Sequence, residues 1–233
     1  MYEHIPGRLA EVRNRIADAA GRAGRPPASV RLIAVSKTHS IDAIRAAADA
    51  GQLDFGENKV QEALQKIAQS TDTRLRWHLI GHLQSNKAKK AAAVAHSIHA
   101  VDSIDLLKKI DQAAAEAGRT LEVLVQVDLA LEDTKHGAPV AAVAGICAAA
   151  AECRSVALVG LMLLPPLAEN PEDARPWFAR LRGLRDELAA GGVPPARLRE
   201  LSMGMSHDYP VAIEEGATMV RVGTAIFGTR DYR

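Results

Sequence analysis

The chain has 233 residues, 48% of them apolar but only 3% aromatic, so its core must be aliphatic and is large enough for one barrel-sized domain or two small ones. Lys plus Arg number 29 against 28 Asp plus Glu, a net charge of +1 that excludes the basic excess of a dedicated nucleic-acid binder. The N-terminus carries no signal-peptide apolar stretch and no apolar run is long enough to span a bilayer, which points to a soluble, cytoplasmic protein, and Cys147 and Cys153 read as free thiols in a reducing compartment.

Along the chain, Ile5, Leu9, Val12 and Ile16 recur at helical spacing among charged residues and predict an amphipathic opening helix. Gly21 and Gly24 end it, and Pro26 and Pro27 forbid its continuation. Short apolar runs then predict strands over 32–36, 53–55, 76–80, 97–101, 121–127, 157–161, 198–202 and 219–222. Helical patterns fill the gaps over 41–50, 59–69, 86–95, 104–117, 139–151, 173–190 and 209–215, with a short helix from 224. Ser40 and Ser103 stand where helix N-caps belong. Strict alternation without a linker implies a parallel sheet, and eight units in one domain over 1–233 imply a (β/α)8 TIM barrel with an extra N-terminal helix. An open doubly wound sheet is the competing architecture, but no G-x-G-x-x-G follows the first strand, so a dinucleotide fold has no support.

On a barrel, chemistry collects at the C-terminal ends of the strands. Lys37 ends the run RLIAVSK at 31–37, and a lysine amine can form a Schiff base with a carbonyl compound. It must first lose a proton, which burial near a second cation would favour. After strands seven and eight come Ser202 to Ser206 and Arg221 to Gly228, in the place where barrels bind phosphate. Gly204 and Gly223 allow close backbone approach, while Ser206 and Thr224 add hydroxyl donors. Arg221, inside a strand-like run, needs a partner or the barrel mouth. Facing a pyridine nitrogen, an always-protonated guanidinium would keep that nitrogen unprotonated and make the ring a weak electron sink.

Other groups carry less. His78 and His82 lie four apart across a strand end and Gly81, which argues against a helical zinc pair. Lys87, Lys89 and Lys90 read as a solvated helix face, His207 has no acid partner for a triad, and Lys135 is a second, solvated amine near the mouth. No carboxylate base stands out beside Lys37, and no cluster suggests a metal.

At the same residues the chain resembles the pyridoxal phosphate (PLP) homeostasis proteins. The strings that carry the resemblance are AVSKT (34–38), GEN (56–58) with VQE (60–62), WHLIGHLQSNK (77–87), GLM (160–162), PP (165–166), LSMGMS (201–206) and VRVGTAIFG (220–228), in order over essentially the whole chain. The resemblance implies a single barrel of the alanine-racemase N-terminal type, PLP fold type III, with PLP in a Schiff base on Lys37. It implies further that Ser206, Gly223 and Thr224 hold the phosphate, that Arg221 faces the pyridine nitrogen, and that Asn58 and Met203 line the ring. Lys59 stands where the family often has Tyr and is expected to face outward.

The function so implied is a non-enzymatic PLP carrier and buffer, a monomer with PLP-dependent apoenzymes as recipients and no nucleic-acid or membrane partner. An amino-acid racemase is the enzymatic alternative, since the related racemases share the barrel and an arginine at the ring nitrogen. Related racemases, however, add a C-terminal β-domain with a tyrosine base, and neither Tyr209 nor Tyr232 is an evident replacement. A phosphosugar isomerase or aldolase would explain the phosphate loops and the lysine, but not the full set of strings.

Overall fold

The computed structural model describes residues 2–130 and 136–228. Helix α1 (His4–Arg22) buries Ile5, Leu9, Val12 and Ile16, the stripe expected from their spacing. Gly24 ends it at φ 66°, with the Arg25 N–H bonded back to the Ala20 carbonyl.

Nine strands and eight further helices follow among the described residues. The strands are β1 (Arg31–Val35), β2 (Asp54–Glu57), β3 (Arg76–Leu79), β4 (Ser97–Val101), β5 (Leu121–Asp128), β6 (Ala138–Pro139), β7 (Val156–Leu163), β8 (Glu200–Met205) and β9 (Met219–Val222). The helices are α2 (Ile41–Asp49), α3 (Val60–Gln69), α4 (Ala88–Val94), α5 (Ile104–Glu116), α6 (Val140–Glu152), α7 (Arg175–Ala190), α8 (Tyr209–Glu214) and α9 (Thr224–Phe227). All pairings are parallel, and the order β4-β3-β2-β1-β9-β8-β7-β5 closes through β4–β5 into an eight-stranded barrel. The two-residue β6 is an addition beside β5 that the sequence pattern did not show. Ser40 and Ser103 cap α2 and α5, accepting hydrogen bonds from the Ala43 and Leu106 N–H groups.

Some elements depart from expectation. The helix anticipated over 86–95 enters through a 3-10 turn, Ser85–Lys87, before α4 begins. Strand β8 starts later than 198, because the Leu198 N–H closes a 3-10 turn onto the Pro195 carbonyl, and it runs on to Met205. Its pairing with β9 shifts register between Ser202 and Met205, around Gly204 at φ 90°. A Cβ there would lie 2.6 Å from that of Ala212, so only glycine lets α8 pack this closely on the strand end.

Most of the core lies between sheet and helices, in one cluster that includes Phe55, Ile98, Leu201, Met203 and Phe178. A second, small cluster of Ile33, Leu124, Val159, Met162 and Met219 fills only part of the barrel lumen. The rest of the interior holds polar side chains, among them Asp54, His78, His99, Gln126, Ser202 and Arg221, all buried. No helix among the described residues is long and apolar enough to cross a membrane.

Candidate functional site at the C-terminal mouth of the barrel

Four neighbouring strands, in the order β2, β1, β9 and β8, end side by side at the mouth. Register aligns their tips: Val35 pairs with Gly56, Ala34 with Val222, and Met205 with Arg221. Asn58 therefore follows the end of β2, Lys37 follows β1, Gly223 and Thr224 follow β9, and Ser206 follows β8. Lys37, Asn58, Ser206 and Gly223 are half-buried, while Thr224 is exposed.

Lys37 occupies a tight turn. The His39 N–H donates to the Ser36 carbonyl at 3.0 Å, and Thr38 takes φ 68°, the pattern of a type II turn with a residue other than glycine at its left-handed position. That conformation costs of order 1–2 kcal/mol for a β-branched residue and persists only when surroundings hold it. Lys66, buried on α3, supplies the hold. Its Nζ lies 2.7 Å from each of the Ser36 carbonyl, Glu57 Oε1 and Glu62 Oε1. The Ser36 hydroxyl also donates to Glu57 at 2.6 Å, and Glu62 accepts the Thr38 N–H. Both neighbours of Lys37 are thus tied to one buried ionic cluster. Burial pushes the Glu57 carboxyl up despite Lys66 and Ser36. At Glu62 the same effect is outweighed by Lys66 and the Thr38 N–H, and that carboxyl titrates low.

At the other side of the mouth, the Gly223 N–H donates to Ser206 Oγ at 3.1 Å, joining the tips of β8 and β9. The Ser206 hydroxyl keeps its own proton for a further acceptor. Asp208 shapes this turn by accepting the Met205 N–H at 2.6 Å. A Cβ on Gly223 would stand 3.1 Å from the Val35 carbonyl, so a side chain here would crowd the end of β1. His39 stacks on Phe227 at 4.9 Å, linking the Lys37 turn to α9.

Arg221 lies below these tips, facing inward. Its two terminal nitrogens donate to Ser202 Oγ at 2.6 Å and to the Leu163 carbonyl at 2.8 Å. Burial lowers the guanidinium to about 10, opposed by Asp208, so it stays charged at neutral pH. Both of its hydrogen-bond acceptors are neutral, whereas two of the three of Lys66 are carboxylates.

Met203 is not brought to this group. Ser202 faces the lumen, and Met203, next on the strand, packs in the cluster between sheet and helices. His78 and His82 separate completely. His78 is buried in the lumen, whereas His82 stacks on His136 at 3.6 Å near Asp102. Among the described residues no group of histidine, cysteine and carboxylate side chains could hold a metal ion. Lys59 is exposed, and Lys135 falls outside the described residues. Sequence reasoning missed Lys66, Glu57, Glu62 and Asp208. The four-residue spacing of Glu62 and Lys66 on α3 was a signal for one of those contacts.

The closed parallel barrel with its polar mouth is of one recognisable class. The family model for the alanine racemase N-terminal domain matches residues 8–231. A relative in Aquifex aeolicus, the pyridoxal phosphate homeostasis protein, is 43% identical over 225 residues, covering 97% of this chain and 98% of its own. The chain belongs to the pyridoxal phosphate homeostasis protein family. The structure of PipY from Synechococcus elongatus PCC7942 with PLP bound superposes with a TM-score of 0.84 at 44% identity, covering 96% of this chain and 100% of PipY. An alanine racemase of Clostridium difficile 630 shares the fold, with a TM-score of 0.76 at 15% identity, over 98% of this chain and 57% of the racemase.

Proposed function

We propose that residues 1–233 form one barrel domain that binds pyridoxal 5'-phosphate on Lys37 and acts as a non-enzymatic carrier and buffer in intracellular vitamin B6 and amino-acid homeostasis. The observation that carries this reading is the row of tips holding Asn58, Lys37, Gly223 with Thr224, and Ser206, above the buried Arg221. PLP supplies an aldehyde that condenses with amines and a pyridine ring that can withdraw electrons. The residues fit its three ends. Lys37 sits in a fixed turn and offers an amine, Ser206 has a hydroxyl proton for an anion, and Arg221 is a buried cation whose two hydrogen-bond acceptors are neutral.

Arg221 also bears on the chemistry of the ring. A guanidinium cannot accept a proton, and a cation facing the ring nitrogen opposes its protonation, so Arg221 would make the ring a weak electron sink, a property that the related racemases with an arginine there share. A pyridinium would need a carboxylate at that position instead. PLP-bound PipY and the homeostasis relatives support the same reading. A cytoplasmic location, a monomeric state and PLP-dependent apoenzymes as recipients belong to this proposal.

Mixed with PLP, the protein should turn yellow, and borohydride should fix a pyridoxyl group to Lys37, read by peptide mass spectrometry. A colourless mixture, label on another lysine, or an unchanged chromophore in Lys37→Ala would refute the site. Deuterium uptake at Cα of alanine at enzyme-like rates would overturn the carrier reading while leaving the site intact.

A further inference from the structure

Arg221 is the inner end of a hydrogen-bonded relay that starts at the N-terminal rim of the barrel. Arg76 donates to both oxygens of Asp54 at 2.8 and 2.5 Å, and Asp54 Oδ1 lies 2.9 Å from His78 Nε2. His78 Nδ1 is 3.1 Å from His99 Nε2, and His99 Nδ1 is 2.9 Å from Ser202 Oγ, which meets Arg221 at 2.6 Å. Five strands contribute: β2, β3, β4, β8 and β9. The outer end reaches a cleft of about 300 Å³, where Asp54 and Arg76 meet Arg13, Gln52 and Leu53.

The chemistry of the donors fixes the direction of every link. Arginine can only donate, so Ser202 Oγ accepts from Arg221 and has one proton to give. Its other partner is His99 Nδ1, which must therefore be the bare nitrogen. His99 is fully buried, and burial, aided by the cations around it, holds its imidazole neutral. Its single proton lies on Nε2 and is donated to His78 Nδ1, which leaves His78 Nε2–H for the Asp54 carboxylate. The reverse arrangement would place a proton on His99 Nδ1. Ser202 Oγ would then receive two donors, and its own proton would be left without an acceptor. Donation runs one way, from Arg221 to Asp54.

We propose that Asp54, His78 and His99 are positioning residues for Arg221, a polarised relay that keeps the Ser202 lone pair turned to the guanidinium and so fixes the cation where it meets the ring nitrogen of the ligand. The ligand in this statement rests on the PLP reading above; the direction of the relay rests on the geometry alone. A buried polar network specifies one arrangement only when every member is satisfied, and here each link completes the next.

Two measurements test it. Nitrogen-15 NMR of histidine side chains in the PLP-free protein should show His78 and His99 as Nε2–H tautomers, assigned with His78→Gln and His99→Gln. Fluorescence titration and absorbance should show PLP affinity about tenfold weaker in His99→Phe, the worth of roughly one hydrogen bond, with a shifted absorbance maximum. His99→Gln keeps an acceptor towards Ser202 and a donor towards His78, and should return affinity to within about threefold of wild type. Should His99→Phe not fold, Ser202→Ala is a smaller cut and should act alike. A proton on His99 Nδ1 overturns the relay, and so does wild-type affinity and spectrum in a folded His99→Phe or Ser202→Ala protein. Failure of the wild type to bind PLP overturns the ligand reading and with it the role given to Arg221, a result distinct from a wrong tautomer in a protein that binds PLP.

Discussion

Beneath Lys37, a lysine and two glutamates converge with 2.7 Å contacts at a single nitrogen, whereas beneath Arg221 a hydroxyl and two imidazoles lead from the guanidinium to the carboxylate of Asp54 at the far end of the relay. The first anchor is compact and ionic, and its geometry is strong because its members are few. The second is extended and mostly neutral, and it spreads the cost of burying a cation over several strands. A buried charge stripped of its partner is far more costly than a neutral donor stripped of one. The two anchors should therefore fail differently.

The largest effect is expected from Lys66→Met, which leaves Glu57 fully buried without its cation. Urea denaturation should show a loss of about 3–5 kcal/mol. The deficit should shrink as pH falls and Glu57 becomes protonated, and it should shrink as well in the Lys66→Met/Glu57→Gln double variant. An unchanged midpoint would mean that the cluster does not anchor the turn.

Asp54→Asn is expected to cost less. Burial raises the Asp54 carboxyl, but hydrogen bonds from His78 and Arg76 outweigh it and bring the group from 3.8 down to about 2. A depressed folded-state value means stability that is present above the ordinary value and is lost as pH falls from there towards about 2. The shift corresponds to about 2 kcal/mol. The variant should lose that amount at neutral pH and show a flatter acid limb, measured by thermal melts across that pH window.

The smallest effect is on the turn itself. Thr38→Gly removes the left-handed strain at φ 68° and should stabilise the fold by about 1 kcal/mol. A loss of stability would show that the threonine side chain contributes more than its backbone costs.

The barrel was legible because its signals are local. Apolar runs, serine caps at Ser40 and Ser103, and the strand-end position of Lys37 each declare themselves within a few residues. The anchors were not. Lys66 stands on a helix where a lysine ordinarily faces water, and only tertiary packing over Glu57 buries it. His78 and His99 look like scattered histidines in separate strands until closure of the sheet brings them to 3.1 Å. Met203 shows the converse. It shares a string with Ser202 and Ser206, yet strand alternation turns it to the other side of the sheet.

The turn that carries Lys37 has an entropic consequence. With Ser36 and Thr38 already tied to Lys66 and Glu62, capture of a carbonyl compound at Lys37 would order little of the chain on either side. Each backbone residue that had to be fixed at the moment of capture would cost about 1–2 kcal/mol. That cost is met when the protein folds, so the reversibility of any covalent link at Lys37 is governed by the amine and the mouth around it rather than by the motions of a loop.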